Sequence, residues 1–388
     1  MLTLIIFLAV LSVLVLAHEL GHFSTAKMFK IKVEEFGLGF PPRAIGCYKN
    51  KKGKRAIVKG KDSWEKLNNN ESDKVKPKDN STIYSLNWLP LGGFVKIKGE
   101  NGEGKNEEDS FSSKSIWKRT IVLSAGVIMN VILAWVLYSA GYMIGLPQAT
   151  SEDNLGKNAI VSESAVALIE ITPDSPAEKA GLEVGDIVLE INGEKVGGQE
   201  ELQNLISKEE GNIVKLLISR DKETIELEVQ PEYNETEKRA LMGVGIFSTG
   251  TVRYPFFSSL IEGAKLTGWT LKEIVVAFGN LFKDIFSGVK VGDQFAGPVG
   301  IATYTGQAAN MGFVYLLQFM AILSLNLAII NILPFPALDG GRILFLIIEK
   351  FKGKPVKKEI ENIVNNIGFY LLIALIIFIT FKDIMRLF

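Results

Sequence analysis

Four long apolar runs punctuate the chain, separated by stretches of different character. The first covers Leu2–Ala17 and continues at helical spacing through His22. The second covers Ile121–Leu146, the third about Val314–Leu333, and the fourth about Ile367–Phe381. Each approaches the roughly 20 apolar residues that a bilayer-spanning helix needs. The first run has no basic residue before it and no small-x-small site after it, so it reads as a retained span and not a cleaved leader.

Between the first two runs, residues 49–80 are rich in Lys, Asn and Asp and read as a solvated insertion. Residues 82–98 differ. Their apolar positions alternate around Leu89-Pro90-Leu91-Gly92-Gly93, which predicts a β-hairpin apolar enough to dip into the membrane surface. Further on, strands are expected at Ala165–Ile171, Ile187–Ile191, Ile213–Ser219 and Thr224–Val229, with helices at Ser175–Ala180 and Gln199–Ile206. Together they form one small soluble α+β domain. Residues 255–290 alternate aromatic, apolar and basic positions at helical spacing and predict amphipathic helices lying on a membrane face.

The expected architecture is a polytopic α-helical membrane protein with about four transmembrane helices, a membrane-associated β-hairpin and one inserted extracytoplasmic α+β domain. The boundaries read as a first span at 1–23, a cytoplasmic loop at 24–119 containing the 82–98 hairpin, and a second span at 120–146. They continue with the α+β domain at 155–232, an extracytoplasmic amphipathic helical region at 250–310, a third span at 312–348 and a fourth at 363–385.

Composition supports spans over a purely soluble chain: the mean hydropathy of the 388 residues is +0.21. Lys+Arg and Asp+Glu both number 43, so net charge names no partner, and no nucleic-acid partner is expected. Charge placement says more. Residues 23–119 hold 21 Lys+Arg against 12 Asp+Glu, while residues 146–313 hold 14 against 25. A further basic cluster, Arg342 to Lys358, follows the third run. Excess Lys and Arg marks the cytoplasmic side, which places both termini outside the cytoplasm of a chain that passes several times through the lipid bilayer.

The single cysteine, Cys47, excludes an internal disulfide and any multi-cysteine metal site. Both histidines of the chain fall in His18-Glu19-Leu20-Gly21-His22. A spacing of four sets them one turn apart on one helical face, where two imidazoles can bind one Zn2+ with Glu19 beside the metal's water. Catalytic zinc takes three protein ligands and keeps one position open. With no third histidine, the remaining ligand is a carboxylate or Cys47. Asp339 is the best candidate, in Asn331-Ile332-Leu333-Pro334-Phe335-Pro336-Ala337-Leu338-Asp339-Gly340-Gly341; the alternative is an aspartate that merely caps the next helix.

These pieces together resemble the site-2 protease family of intramembrane zinc metalloproteases, of the bacterial regulator of sigma-E protease type. The likeness rests on HELGH at 18–22, YSLNWLPLGGFVKIKGE at 84–100 and SAGVIMN at 124–130. It rests also on a PDZ-like SPAEKAGLEVGDIVLEINGEKV at 175–196, FAGPVGIA at 295–302 and NILPFPALDGGR at 331–342. The resemblance implies His18, His22 and Asp339 as ligands of one zinc ion and Glu19 as catalytic acid and base. It implies that Asn331 and the hairpin around Gly92, Gly93 and Phe94 hold substrate, and that single-span membrane proteins such as anti-sigma factors or remnant signal peptides are cut near the cytoplasmic face.

The PDZ-like domain would bind a peptide or filter substrates through a groove between Ala165–Ile171 and Gln199–Ile206. Leu202, Leu205 and Ile206 are its candidate lining, with ordinary core packing as the competing reading. The chain departs from the family at Val127, often proline, and at Arg342, often histidine. It has room for one PDZ-like domain where many relatives have two. The competing functions are a catalytically silent PDZ-bearing scaffold, which would not need Glu19, and a metal transporter, which would show internal repeats that this chain lacks.

Overall fold

The computed structural model describes residues 2–60, 67, 72, 75–149, 156–209, 211–220, 223–234, 239–288 and 297–385. The expected insertion at 49–80 and helical region at 250–310 therefore lie partly outside the described residues. The chain forms two compact units. One comprises the chain up to Tyr138 and again from Ala264; the other is Ser139–Gly263.

The four apolar runs become four long helices, each apolar enough to cross a membrane: α1 (Leu2–Met28), α2 (Ile116–Ile144), α7 (Phe313–Ile332) and α9 (Lys358–Met385). The expected third span at 312–348 needs correction. It is two helices, α7 and α8 (Asp339–Lys352), parted by Leu333–Leu338. Pro334 and Pro336 cannot continue a helical hydrogen-bond ladder, and Ala337 takes a left-handed φ of 72°. The turn folds back so closely that a Cβ on Gly340 would stand 2.2 Å from the carbonyl oxygens of both Ile332 and Leu333.

The predicted hairpin also needs correction. Ile83–Ile97 is one long strand, β3, whose two arms do not pair with each other. Strand β1 (Val33–Lys49) runs between them: Phe36 opposes both Val95 and Tyr84, Gly37 both Phe94 and Ser85, and Leu38 both Gly93 and Leu86. The first arm of β3 then pairs on its other side with Ile45–Cys47, and β2 (Arg55–Val58) closes that flank. The Gly93–Ile97 arm therefore forms the opposite edge of the sheet. Its bend lies on α1: a Cβ on Gly92 would be 2.9 Å from Val15, and Ser12 Oγ donates to the Pro90 carbonyl at 3.4 Å. A buried cluster of Ala26, Ile31, Val33, Ile97, Phe111, Val122, Leu123 and Leu346 joins α1, the sheet, α2 and α8.

The second unit carries a seven-stranded sheet in the order β4-β12-β5-β6-β8-β9, with β7 (Glu194–Lys195) pairing with β6. The strands are β4 (Leu146–Ala149), β5 (Ile160–Ile171), β6 (Ile187–Ile191), β8 (Val214–Arg220), β9 (Glu223–Val229) and β12 (Val244–Arg253). Helix α3 (Pro176–Lys179) and helix α4 (Gln199–Lys208) lie between strands in sequence, as the periodicity predicts. The boundaries expected at 155–232 and 250–310 shift: β12 belongs to this sheet, and the helix expected from 250 begins at Phe256 as α5 (Phe256–Phe286), followed by α6 (Pro298–Met311).

The expected groove is found in part. Strand β12 occupies an edge of β5, and the cavity beside α4 is lined by Glu170 and Thr172 at the end of β5, by Gln203, Ile206 and Ser207 of α4, and also by Arg239–Ile246. Ile206 lines it, Leu202 is wholly buried in the core, and Leu205 packs partly buried against that core.

Candidate metal centre

Helix α1 is apolar on every side, so histidines one turn apart on it are costly unless something receives them. Helix α2 does. A Cβ on Gly21 would meet the Ala125 carbonyl oxygen at 2.2 Å, so the two helices touch backbone to backbone there. Val122, Gly126 and Asn130 then recur every four residues along the touching face. Nδ1 of His22 lies 2.8 Å from the carbonyl oxygen of Val122, which can only accept; the ring proton therefore sits on Nδ1 and the Nε2 lone pair turns inward. Nδ1 of His18 faces the side-chain amide of Asn130 at 3.3 Å.

Asp339 opens α8. The N-cap position belongs to Leu338 and no side chain caps the helix, so the capping reading of Asp339 does not apply. Its carboxylate turns to α1 instead. Oδ2 lies 3.0 Å from Nε2 of His18 and 3.3 Å from Nε2 of His22, and the two Nε2 atoms are 3.1 Å apart. This oxygen is buried and aligned in a hydrogen bond with none of the described residues. The turn that presents it is held by α9, where Asn365 accepts from the Ala337 N–H at 3.2 Å.

Tetrahedral ligands at about 2.0–2.2 Å from a zinc ion stand about 3.3–3.6 Å from one another. The three atoms, two imidazole nitrogens and one carboxylate oxygen, form a triangle close to that size. The residues present fit a zinc ion. Gly126 leaves room beside the pair: a Cβ there would fall 2.5 Å from Nε2 of His22 and 2.7 Å from Nε2 of His18.

Glu19 sits beside this triangle, half-buried, with the backbone of Val95 on the sheet edge near its carboxylate. Gly93 and Phe94 belong to the arm beside Glu19 and Gly92 to its bend on α1, whereas Asn331 occupies the last turn of α7, partly buried. Arg342, three residues beyond Asp339, is ion-paired with Glu100 just past the end of β3.

Peptidase family M50 matches this chain over residues 6–55 and 74–375. The chain belongs to that family. It is a site-2 type metalloendopeptidase and a multi-pass membrane protein. The regulator of sigma-W protease RasP from Bacillus subtilis is 31% identical over 467 residues, covering 100% of this chain and 99% of that protein. A Clostridium acetobutylicum protein provisionally named a zinc metalloprotease is 33% identical over 374 residues, covering 96% of this chain and 94% of its own. Across 22% of the protease, the PDZ domain of an SdrC-like protein from Listeria monocytogenes aligns over 92% of its length at 19% identity and a TM-score of 0.21.

The motif at 124–130 entered the sequence reading only through the likeness, with no role given there to the residues that this M50 protease draws from α2. Val122, Gly126 and Asn130 ligate nothing, yet they border both imidazoles. A signal was present: Asn130 is a polar residue in an apolar run, four residues after a glycine.

Proposed function

We propose that His18, His22 and Asp339 hold one zinc ion and that Glu19 is the general base and acid of an intramembrane endopeptidase. The observation carrying this reading is the convergence of two imidazoles and a carboxylate, 3.0 to 3.3 Å apart, from opposite ends of the chain. When bound, the ion supplies Lewis acidity, polarising the scissile carbonyl and acidifying water. The protein's own groups do the rest. Val122 fixes the tautomer of His22. Glu19 takes a proton from the attacking water and returns it to the departing amine.

The substrates are single-span membrane proteins, anti-sigma factors or remnant signal peptides among them; the sigma-W regulator name of the Bacillus relative agrees with this class. Both termini lie outside the cytoplasm, and the cut falls near the cytoplasmic face, because the histidines sit toward the end of α1 that leads into the basic 24–119 segment. A helical substrate must unwind before its carbonyl is accessible. The Gly93–Ile97 arm is the sheet edge in contact with Glu19, so unwound substrate adds there as a further strand, with Asn331 holding its other side. Backbone groups freed in an apolar environment cost several kcal/mol each unless paired, and an open edge pairs them. The second unit serves as a PDZ-like filter, admitting substrates whose outer domain has already been trimmed.

The test is Glu19→Gln in the full chain, reconstituted with a model single-span substrate. Zinc content stays at the parent level and cleavage falls by about 10²–10⁴. Equal cleavage by the variant and its parent removes Glu19 from the chemistry. Cleavage by neither, with metal flux across vesicles, favours the transporter.

A further inference from the structure

Asn130 is wholly buried, and its amide is placed at odds with the metal-holding role of its neighbour. Its Nδ2 faces Nδ1 of His18 at 3.3 Å, while its Oδ1 is buried with no hydrogen-bond partner among the described residues. An NH2 group donates, so this contact asks His18 Nδ1 to accept and puts the ring proton on Nε2. Nε2 is the atom that stands 3.0 Å from Asp339 and 3.1 Å from the second imidazole, where a lone pair is needed.

His22 shows the arrangement that ligation requires. Its Nδ1 meets the Val122 carbonyl, a pure acceptor, at 2.8 Å. Val122 and Asn130 flank Gly126 at equal spacing on α2, each one turn away, so the two imidazoles have matching places along the helix. The two ends of a carboxamide have the same shape, and a half-turn of the group exchanges them. Ser324 Oγ donates to the Asn130 backbone carbonyl at 2.8 Å, tying α7 to α2 at this residue.

We infer that Asn130 is the positioning residue for His18: in the metal-bound protein its amide oxygen accepts the Nδ1 proton, fixing the tautomer and ring plane that leave Nε2 free to ligate. The inference rests on the reading of His18 as a ligand. It assigns α2 both outer partners of the histidine pair, one a backbone carbonyl and one a side-chain amide.

The experiment uses the full chain in detergent and measures zinc affinity by competition with a chelator. Asn130→Leu keeps the side chain's shape but cannot accept, and it weakens zinc binding about 10- to 100-fold, the usual effect of losing such a partner. Asn130→Asp accepts only, and it keeps affinity within about threefold of the parent. Parent-like affinity in Asn130→Leu, or equal losses in the two variants, overturns the proposal.

Nitrogen-15 spectra of the parent, labelled at histidine, keep the proposal falsifiable even where the leucine variant does not fold. Only two imidazoles contribute signals. Both Nδ1 atoms are protonated in the zinc-loaded protein, and Asn130→Asp moves the Nδ1 signal of His18 while leaving that of His22 in place. A proton on His18 Nε2 in the loaded protein overturns the inference. His18→Ala separates it from its premise: unchanged zinc affinity there removes the ligand reading itself.

Discussion

A methyl group on Gly126 would stand 2.5 Å from Nε2 of His22. That separation is shorter than any ordinary non-bonded contact, and the second imidazole crowds the same point, with Cε1 of His18 at 2.6 Å. The substitution cannot be absorbed by a flexible chain end, because both rings are buried and His22 is pinned at its other nitrogen.

Gly126→Ala is therefore expected to abolish zinc binding although it alters no ligand. Bound zinc, read by elemental analysis of purified protein, falls below about a tenth of the parent value, in line with losses of 10- to 100-fold when a ligand's surroundings are disturbed. Helical content by circular dichroism is unchanged. Full zinc occupancy in this variant shows that the rings do not meet where the geometry places them.

Gly340→Ala tests the other side of the centre. The added Cβ collides at 2.2 Å with two carbonyl oxygens of the preceding turn, so that turn must open and carry Asp339 away from α1. Backbone clashes of this kind cost more than about 1 kcal/mol and do not relax locally. Zinc content and cleavage drop together, whereas Ala337→Gly, at a left-handed position, leaves both intact or improved.

Val95→Pro removes a backbone N–H from the edge arm beside Glu19. Zinc stays bound, because Val95 offers no ligand atom to the centre. Cleavage of a reconstituted single-span substrate drops by an order of magnitude or more, about the loss from one missing backbone partner in a water-poor site. Val95→Ala keeps the N–H and cleaves at the parent rate. Equal rates in both variants place substrate elsewhere.

The second unit carries an acid-sensitive joint. Asp186 is 1% exposed, and both its oxygens accept from Arg220 at 2.7 Å. Burial alone would raise the pKa of this carboxylate, but the Arg220 guanidinium and the Glu183 N–H outweigh it and hold it below the usual range. A depressed carboxylate stabilises the fold above its ordinary pKa of about 4 and loses that contribution as pH falls through its folded value. Hydrogen-exchange protection of β6 and β8 is thus level above about pH 5 and declines in acid. Asp186→Asn lowers protection by roughly 2 kcal/mol at neutral pH, since the guanidinium is only partly buried, and abolishes the acid decline. A decline that persists in the variant assigns it to other groups.

The local part of the site was legible on its own, and Asp339 only because the histidine pair lacks a third ligand. Two histidines one turn apart in an apolar run need no partner to be noticed. Asp339 could be read as ligand or cap, because the choice depends on which way α8 faces, and that is set by Pro334, Pro336 and a glycine pair packing against backbone. The interleaved sheet escaped for a related reason. Residues 33–49 place Glu34 beside Glu35 and Pro41 beside Pro42, which hides the alternation of a strand, so the arms of 82–98 were left to pair with each other. Strand β12 was missed because Ser248, Thr249 and Gly250 interrupt its apolar pattern. The role of Asn130 depends on a neighbour more than a hundred positions earlier, and no periodicity reports on that.

The three side chains at the centre come from positions 18, 22 and 339. A ribosome releases the first two long before it makes the third. Until α8 is made and packed beside α1, the histidine pair has α2 for a neighbour but no carboxylate to complete it, so on the proposed reading a half-synthesised or stalled chain is disarmed. On that reading, finishing the chain is also what finishes the centre.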